Sequence, residues 1–249
     1  MADYVLETRK LSKEFKGFSA VNDLNLQVER GHIHALIGPN GAGKTTVFNL
    51  LTKFLTPTAG TILFNGIDVT RERPADIALR GVIRSFQISA VFPNLTPLEN
   101  VRLALQRPTG TSYQFWRSDR CLRQLDDRAM DLLESVGLAE VSGDITGELA
   151  YGRKRALEIA TTLALEPELV LLDEPTQGMG AEDVDKITAL VKRASAGRTI
   201  LMIEHNLKVV ATLADRITVL QRGAILSEGA YAEVSQDPRV LEAYMGVHP

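Results

Sequence analysis

Cysteine is almost missing: the 249 residues contain one, Cys121. No internal disulfide can form, and such usage suits a reducing compartment. Histidine is nearly as scarce, with four scattered copies, and none has zinc-type spacing. No apolar run approaches the roughly 18 residues a membrane helix needs. The start, Met1-Ala2-Asp3-Tyr4-Val5-Leu6-Glu7, lacks the basic-then-apolar pattern of a secretory leader. Neither a span nor a signal peptide is expected. An excess of one charge is also absent: 28 basic against 31 acidic residues leave a net charge of -3. Nothing draws the whole chain to nucleic acid or anionic lipid, and no nucleic-acid partner is expected. There is no internal repeat or low-complexity run. What remains, 45% hydrophobic residues, is ordinary for a packed core and fits one large α/β domain with an inserted subdomain.

Short apolar runs recur: Ile33 to Ile37, Thr61 to Phe64 before Asn65-Gly66, Val82 to Phe86, Leu169 to Leu172, Thr199 to Ile203 and Ile217 to Leu220. Several are continuous rather than alternating, the pattern of strands covered on both faces. Helical patterns lie between them. Over Asp119 to Val136, the residues Leu122, Leu125, Ala129, Leu132, Leu133 and Val136 fall at helical spacing, with Gly137 as a left-handed stop. From Pro97 to Glu166 no comparable strand is legible, so this stretch reads as a helical insertion. Arg107 to Trp116 reads as an exposed loop, and Arg222-Gly223 as a hairpin turn.

The chemistry concentrates in Gly38-Pro39-Asn40-Gly41-Ala42-Gly43-Lys44-Thr45, a G-x-x-x-x-G-K-[ST] loop between a strand and the helical run from Thr45 and Thr46 to Leu51. Its glycines let consecutive N–H groups turn inward on a β-phosphate, and the following helix adds the positive end of its dipole. Lys44 would neutralise β/γ oxygens and Thr45 would ligate Mg²⁺. Downstream, Leu169 to Asp173 is a buried strand ending in a carboxylate placed to hold the same Mg²⁺. Glu174 follows, where a second carboxylate can polarise the attacking water.

On these residues the chain resembles the nucleotide-binding subunits of ABC transporters, and the likeness covers essentially all of it. It implies an α/β fold: a P-loop NTPase (RecA-like) core with an antiparallel β subdomain and an inserted helical subdomain, roughly 97–166, in one nucleotide-binding domain spanning 1–249. Phe15 occupies the adenine-stacking place, where a ring reads no base edges. Gln87 matches the junction glutamine that senses Mg²⁺ and the attacking water, and Ile88 to Asn94 would face a membrane subunit. His205 matches the histidine that contacts the γ-phosphate. ATP and Mg²⁺ are the implied cofactors.

Two positions depart from the family pattern. The usual L-S-G-G-Q signature is Leu149-Ala150-Tyr151-Gly152-Arg153 here, so the hydroxyl that would reach a γ-phosphate across a dimer is gone. Gly152 still opens a helix whose N-terminus can present amides to an anion. The run Arg153-Lys154-Arg155 reads equally as compensating charge or as a solvated basic face. Gln177-Gly178-Met179-Gly180 carries glycine where most members carry a site-linking aspartate.

The altered signature, Thr45 to Thr52, Ser85-Phe86-Gln87, the inserted Gln106 to Arg120 and the ending Asp237 to Gly246 are similar to ATP-binding subunits of branched-chain amino acid importers. Urea and amide importers share much of this, and Lys53 stands where glycine is more usual. The resemblance implies transmembrane permease partners, a second ATP-binding subunit, an extracytoplasmic solute-binding protein acting indirectly, and a peripheral place on the cytoplasmic side of the membrane. A non-transport ABC ATPase working as a conformational module, and a regulatory subunit with a degraded signature, remain alternatives.

Overall fold

The computed structural model describes residues 3–85, 91–107 and 124–245. They separate into two compact units, one of residues 1–82, 168–174 and 195–249, the other of 83–167 and 175–194.

The first unit carries two sheets. One is antiparallel, built from β1 (Tyr4–Phe15), β2 (Phe18–Leu24), β3 (Gln27–Glu29), β5 (Ala59–Phe64) and β6 (Ile67–Asp68) in the order β2-β1-β5-β6, with β3 also on β1. Lys16 and Gly17 both have positive φ, 47° and 89°, so β1 and β2 close as a tight hairpin that sets Phe15 opposite Phe18.

The second sheet centres on β4 (Ile33–Ile37), β8 (Leu169–Asp173) and β9 (Thr199–Ile203), every residue of which is buried. Its order is β11-β10-β4-β9-β8-β7, with β10 (Arg216–Gln221) and β11 (Ala224–Gly229) joined by the expected turn at Arg222-Gly223. The pairs β10–β4, β4–β9 and β9–β8 are parallel, which explains the continuous apolar runs. The edge strand β7 (Val82–Ser85) straddles the boundary between the units.

Helix α1 (Lys44–Leu51) follows β4 and buries Val47, Phe48, Leu50 and Leu51 in a core shared with Leu36, Leu171, Leu201 and Ile203. The short α2 (Pro74–Leu79) lies before β7, and α7 (Leu207–Leu213), α8 (Tyr231–Val234) and α9 (Pro238–Met245) complete the unit. Asn206 caps α7, its side chain accepting from Lys208 and Val209 amides.

The second unit is helical. Helix α3 (Pro97–Leu105) opens with a capping box between Thr96 and Glu99. Buried Asn100 ties the chain around it, accepting from the Phe92 amide at 2.8 Å and donating to the Phe92 and Thr96 carbonyls and Thr146 Oγ1. Helix α4 runs Asp126–Ser135. The sequence pattern placed its start at Asp119, yet Leu125 is already the residue before the helix, and Asp119 to Arg123 lie outside the described residues. Gly137, with φ 74°, supplies the expected stop. Helices α5 (Tyr151–Ala164) and α6 (Ala181–Ala194) follow; α6 carries Glu182 and Asp183 in its first turn and Lys192 and Arg193 in its last, matching the helix dipole. Among the described residues, no helix is long and apolar enough to cross a membrane.

Candidate functional site

The loop between β4 and α1 is shaped by backbone that only glycine accepts easily. Gly38, Gly41 and Gly43 have φ of 148°, 77° and 103°. At Gly43 a Cβ would stand 2.5 Å from the Ala20 carbonyl oxygen, and at Gly38 it would stand 2.2 Å from that of Leu220. The loop is therefore pressed against the rest of the unit. Part of that support is the β10–β11 turn: Gly223 N–H donates to the Ala42 carbonyl at 3.0 Å, and the Asn22 amide donates to Gly223 at 2.9 Å.

Lys44 begins α1 and is 6% exposed. Its Nζ donates to the carbonyls of Gly38 at 2.7 Å and Pro39 at 3.0 Å. Burial lowers its pKa, while the charges of Glu174 and Asp173 pull the other way. The two carboxylates ending β8 thus act electrostatically on the loop lysine, although some 130 residues apart in a chain whose parallel strand order makes this possible.

A cleft of about 410 Å³ is lined by Phe15, Phe18, Ala20, Asn40 to Thr46, Glu174 and His205. The structure thereby brings together Phe15, Asn40, Gly41, Ala42, Gly43, Lys44, Thr45, Thr46, Glu174 and His205 from four separate stretches of sequence. Gly38 and Pro39 stand just behind, holding Lys44. Phe15 is 42% exposed with Lys13 Nζ 5.2 Å from its ring centre, and that ammonium is fixed by the Thr56 carbonyl at 2.7 Å. Nε2 of His205 is hydrogen bonded to Oε1 of Glu174. The backbone of Glu174 is left-handed, φ 47°, and its N–H donates to the Ile203 carbonyl at 2.9 Å. Such a conformation costs a non-glycine residue about 1–3 kcal/mol and concentrates at functional sites. Glu204, 2% exposed, accepts from the His205 and Asn206 amides and so fixes the main chain that carries the imidazole.

Ala150, Tyr151 and Gly152 lie in the second unit, at the start of α5, and do not line this cleft. Gln87 lies outside the described residues. The basic run after Gly152 is not a solvated face throughout: Lys154 Nζ donates to the Gly147 carbonyl, and Arg155 is buried in an ion pair with Glu158. Phe18 and Ala20 are the cleft residues that motif matching overlooked. The signal for Phe18 was present, since Phe15-Lys16-Gly17-Phe18 has the form of a two-residue hairpin turn flanked by rings.

Metal fit follows from donor chemistry. Mg²⁺ takes one or two protein oxygens and fills its octahedron with phosphate oxygens and water. The Thr45 hydroxyl and the Asp173 carboxylate are hard oxygen donors of that kind, and among the described residues no group of three or more His, Cys, Asp or Glu offers a rival metal site. The arrangement can grip a polyphosphate by main-chain amides, counter its charge with Lys44, and offer a carboxylate to a water.

Residues 21–177 match the family described as ABC transporter, and residues 224–249 match the branched-chain amino acid ATP-binding cassette transporter description. The chain is 38% identical to the high-affinity branched-chain amino acid transport ATP-binding protein BraF of Pseudomonas aeruginosa over 256 aligned residues, covering 99% of each. It is likewise 38% identical to LivG of Escherichia coli over 253 residues, again 99% of each. Among solved structures, the ADP conformation of an ATP-binding cassette of an ABC transporter superposes with a TM-score of 0.83 at 28% identity, covering 98% of this chain and 99% of that one. A dimeric ATP-binding cassette bound to ADP and Pi gives 0.74 at 25% identity, with 91% and 98% covered. Its phosphate loop, the carboxylates that close β8 and these likenesses over nearly the whole length agree on one conclusion: the chain belongs to the ABC transporter family, among the ATP-binding subunits of the branched-chain amino acid type.

Proposed function

We propose that this chain binds Mg²⁺-ATP in the cleft of its first unit and that Glu174 and His205 carry the hydrolysis that drives uptake of branched-chain or related hydrophobic amino acids. The observation that supports this most is the meeting of Lys44, Glu174 and His205 in one cleft. Loop amides and the α1 N-terminus hold the phosphates, and Lys44 exchanges the Gly38 and Pro39 carbonyls for phosphate oxygens. Phe15 stacks on the base. Glu174, the acceptor, takes a proton from the attacking water, while His205 orients that carboxylate and reaches toward the γ-phosphate. Thr45 and Asp173, with Gln87, would hold Mg²⁺, which supplies charge neutralisation on the phosphates.

The signature residues Ala150, Tyr151 and Gly152 serve a second subunit's nucleotide in this reading, so ATP closes a pair of cassettes and its hydrolysis releases them. The described helices α3 to α6 of the second unit belong to the lobe that presents them. Phe92, 58% exposed on a segment pinned by Asn100, suits contact with a permease on the cytoplasmic face of the membrane. The solute-binding protein acts only through that permease. Affinity purification of the tagged chain from detergent-solubilised membranes tests the assembly. Co-isolation of two multi-span proteins and a second cassette, with ATPase activity stimulated by the loaded binding protein, is expected. Recovery of the chain alone, with unstimulated activity, would contradict it.

A further inference from the structure

Arg155 and Glu158 lie one turn apart on α5, and each side chain is only 6% exposed. Arg155 Nη1 donates to Glu158 Oε2 at 2.5 Å, and its Nε donates to the main-chain carbonyl of Pro175 at 3.3 Å. Taking two charges out of water is so costly that packed apolar side chains of the same volume often do as well for stability. The best attested use of such a pair is to specify one arrangement.

The group that the guanidinium reaches besides Glu158 is the carbonyl of Pro175. The ring nitrogen of that residue is bonded directly to the carbonyl carbon of Glu174, whose φ of 47° lies in the left-handed region. A Cβ disfavours that region, and a following proline restricts its neighbour further. Strained backbone persists only where its surroundings over-determine it. One restraint is the hydrogen bond from the Glu174 amide to Ile203. Another comes through the next peptide and ends on Arg155.

We propose that Arg155, seated by Glu158, is a positioning residue for ATP hydrolysis: it clamps the Pro175 carbonyl so that Glu174 keeps the backbone that aims its carboxylate. The inference rests on Glu174 being the proton acceptor. It gives Arg155 a role that neither a solvated face nor phosphate capture describes.

The test compares the assembled transporter carrying Arg155→Met with Glu158→Leu, Arg155→Lys, Glu174→Gln, and the Arg155→Met, Glu158→Leu pair combined with Glu174→Gln. Removing both charges together avoids stranding one of them. The melting temperature and ATP affinity should stay near wild type while kcat falls about tenfold or more, with KM little changed. Arg155→Lys should fall too, since an ammonium paired with Glu158 lacks the second fork of the guanidinium that reaches Pro175. Adding Glu174→Gln to the pair should cost no more than Glu174→Gln alone, the mark of residues acting as one unit. Unchanged kcat in the Met/Leu pair, or full additivity with Glu174→Gln, would overturn the clamp while leaving Glu174 as acceptor. Near-normal turnover in Glu174→Gln alone would overturn the acceptor and the clamp with it.

Discussion

His205 Nε2 meets Glu174 Oε1 directly, joining the ends of two neighbouring parallel strands, β9 and β8. The pair lines the same cleft as Lys44. If the carboxylate takes the proton and the imidazole holds it in place, the two act in series. Glu174→Gln should leave nucleotide binding intact and cut turnover about a hundredfold or more. His205→Ala should also lower turnover, and the double variant should be no slower than Glu174→Gln. Steady-state ATPase rates with separately measured affinities check this; independent, multiplying losses would contradict it.

The loop glycines differ in what surrounds them. Gly43 is closed in, a Cβ there standing 2.5 Å from Ala20 O, whereas Gly41 has nothing within 4 Å. Both have positive φ. Each alanine variant therefore meets backbone strain of about 1–3 kcal/mol, and Gly43→Ala adds a clash with main chain. Denaturant unfolding should show Gly43→Ala to be the less stable of the two, with the weaker ATP binding. Equal losses would contradict the close approach.

Lys53 is 8% exposed, has φ 65°, and its Nζ has no hydrogen-bond partner among the described residues. Burial lowers its pKa to about 8, against the pull of Glu72 and Asp68. Between that value and the ordinary lysine range the unfolded chain binds more protons than the folded one, so stability rises with pH across this window. Below about pH 8 the penalty of the buried ammonium is fully present, on the order of 3 kcal/mol at most. Lys53→Gly should therefore stabilise the protein at pH 7, with the advantage shrinking toward pH 10. Melting temperatures of both proteins across that range check it; an advantage independent of pH would contradict it.

Much of the site was legible in the sequence because its elements follow simple rules. Ile33 to Ile37 and Thr199 to Ile203 are observed with the bounds their apolar runs suggest, since strands buried on both faces need no alternation. The phosphate loop, Glu174 and His205 were each found at the end of such a run. The strand β1 was not picked out: Glu7, Arg9, Lys10, Lys13 and Glu14 interrupt its apolar residues, and shifts of register at Leu11 to Glu14 break the alternation. The same irregular hairpin carries Phe18, the overlooked ring of the cleft. The burial of Arg155 is not legible, because charge alone leaves a compensating role and a solvated face equally open; its partner Glu158, three residues on, is the available signal.

In the proposed function the amides and lysine of the loop hold a triphosphate. The decisive measurement is titration of the purified chain with a fluorescent ATP analogue in the presence of Mg²⁺, wild type beside Lys44→Ala. Saturable binding by the wild type that is lost in Lys44→Ala is the predicted result, because the neutral side chain leaves the phosphate charge uncompensated. Equal affinity of the two proteins would contradict the account at its root.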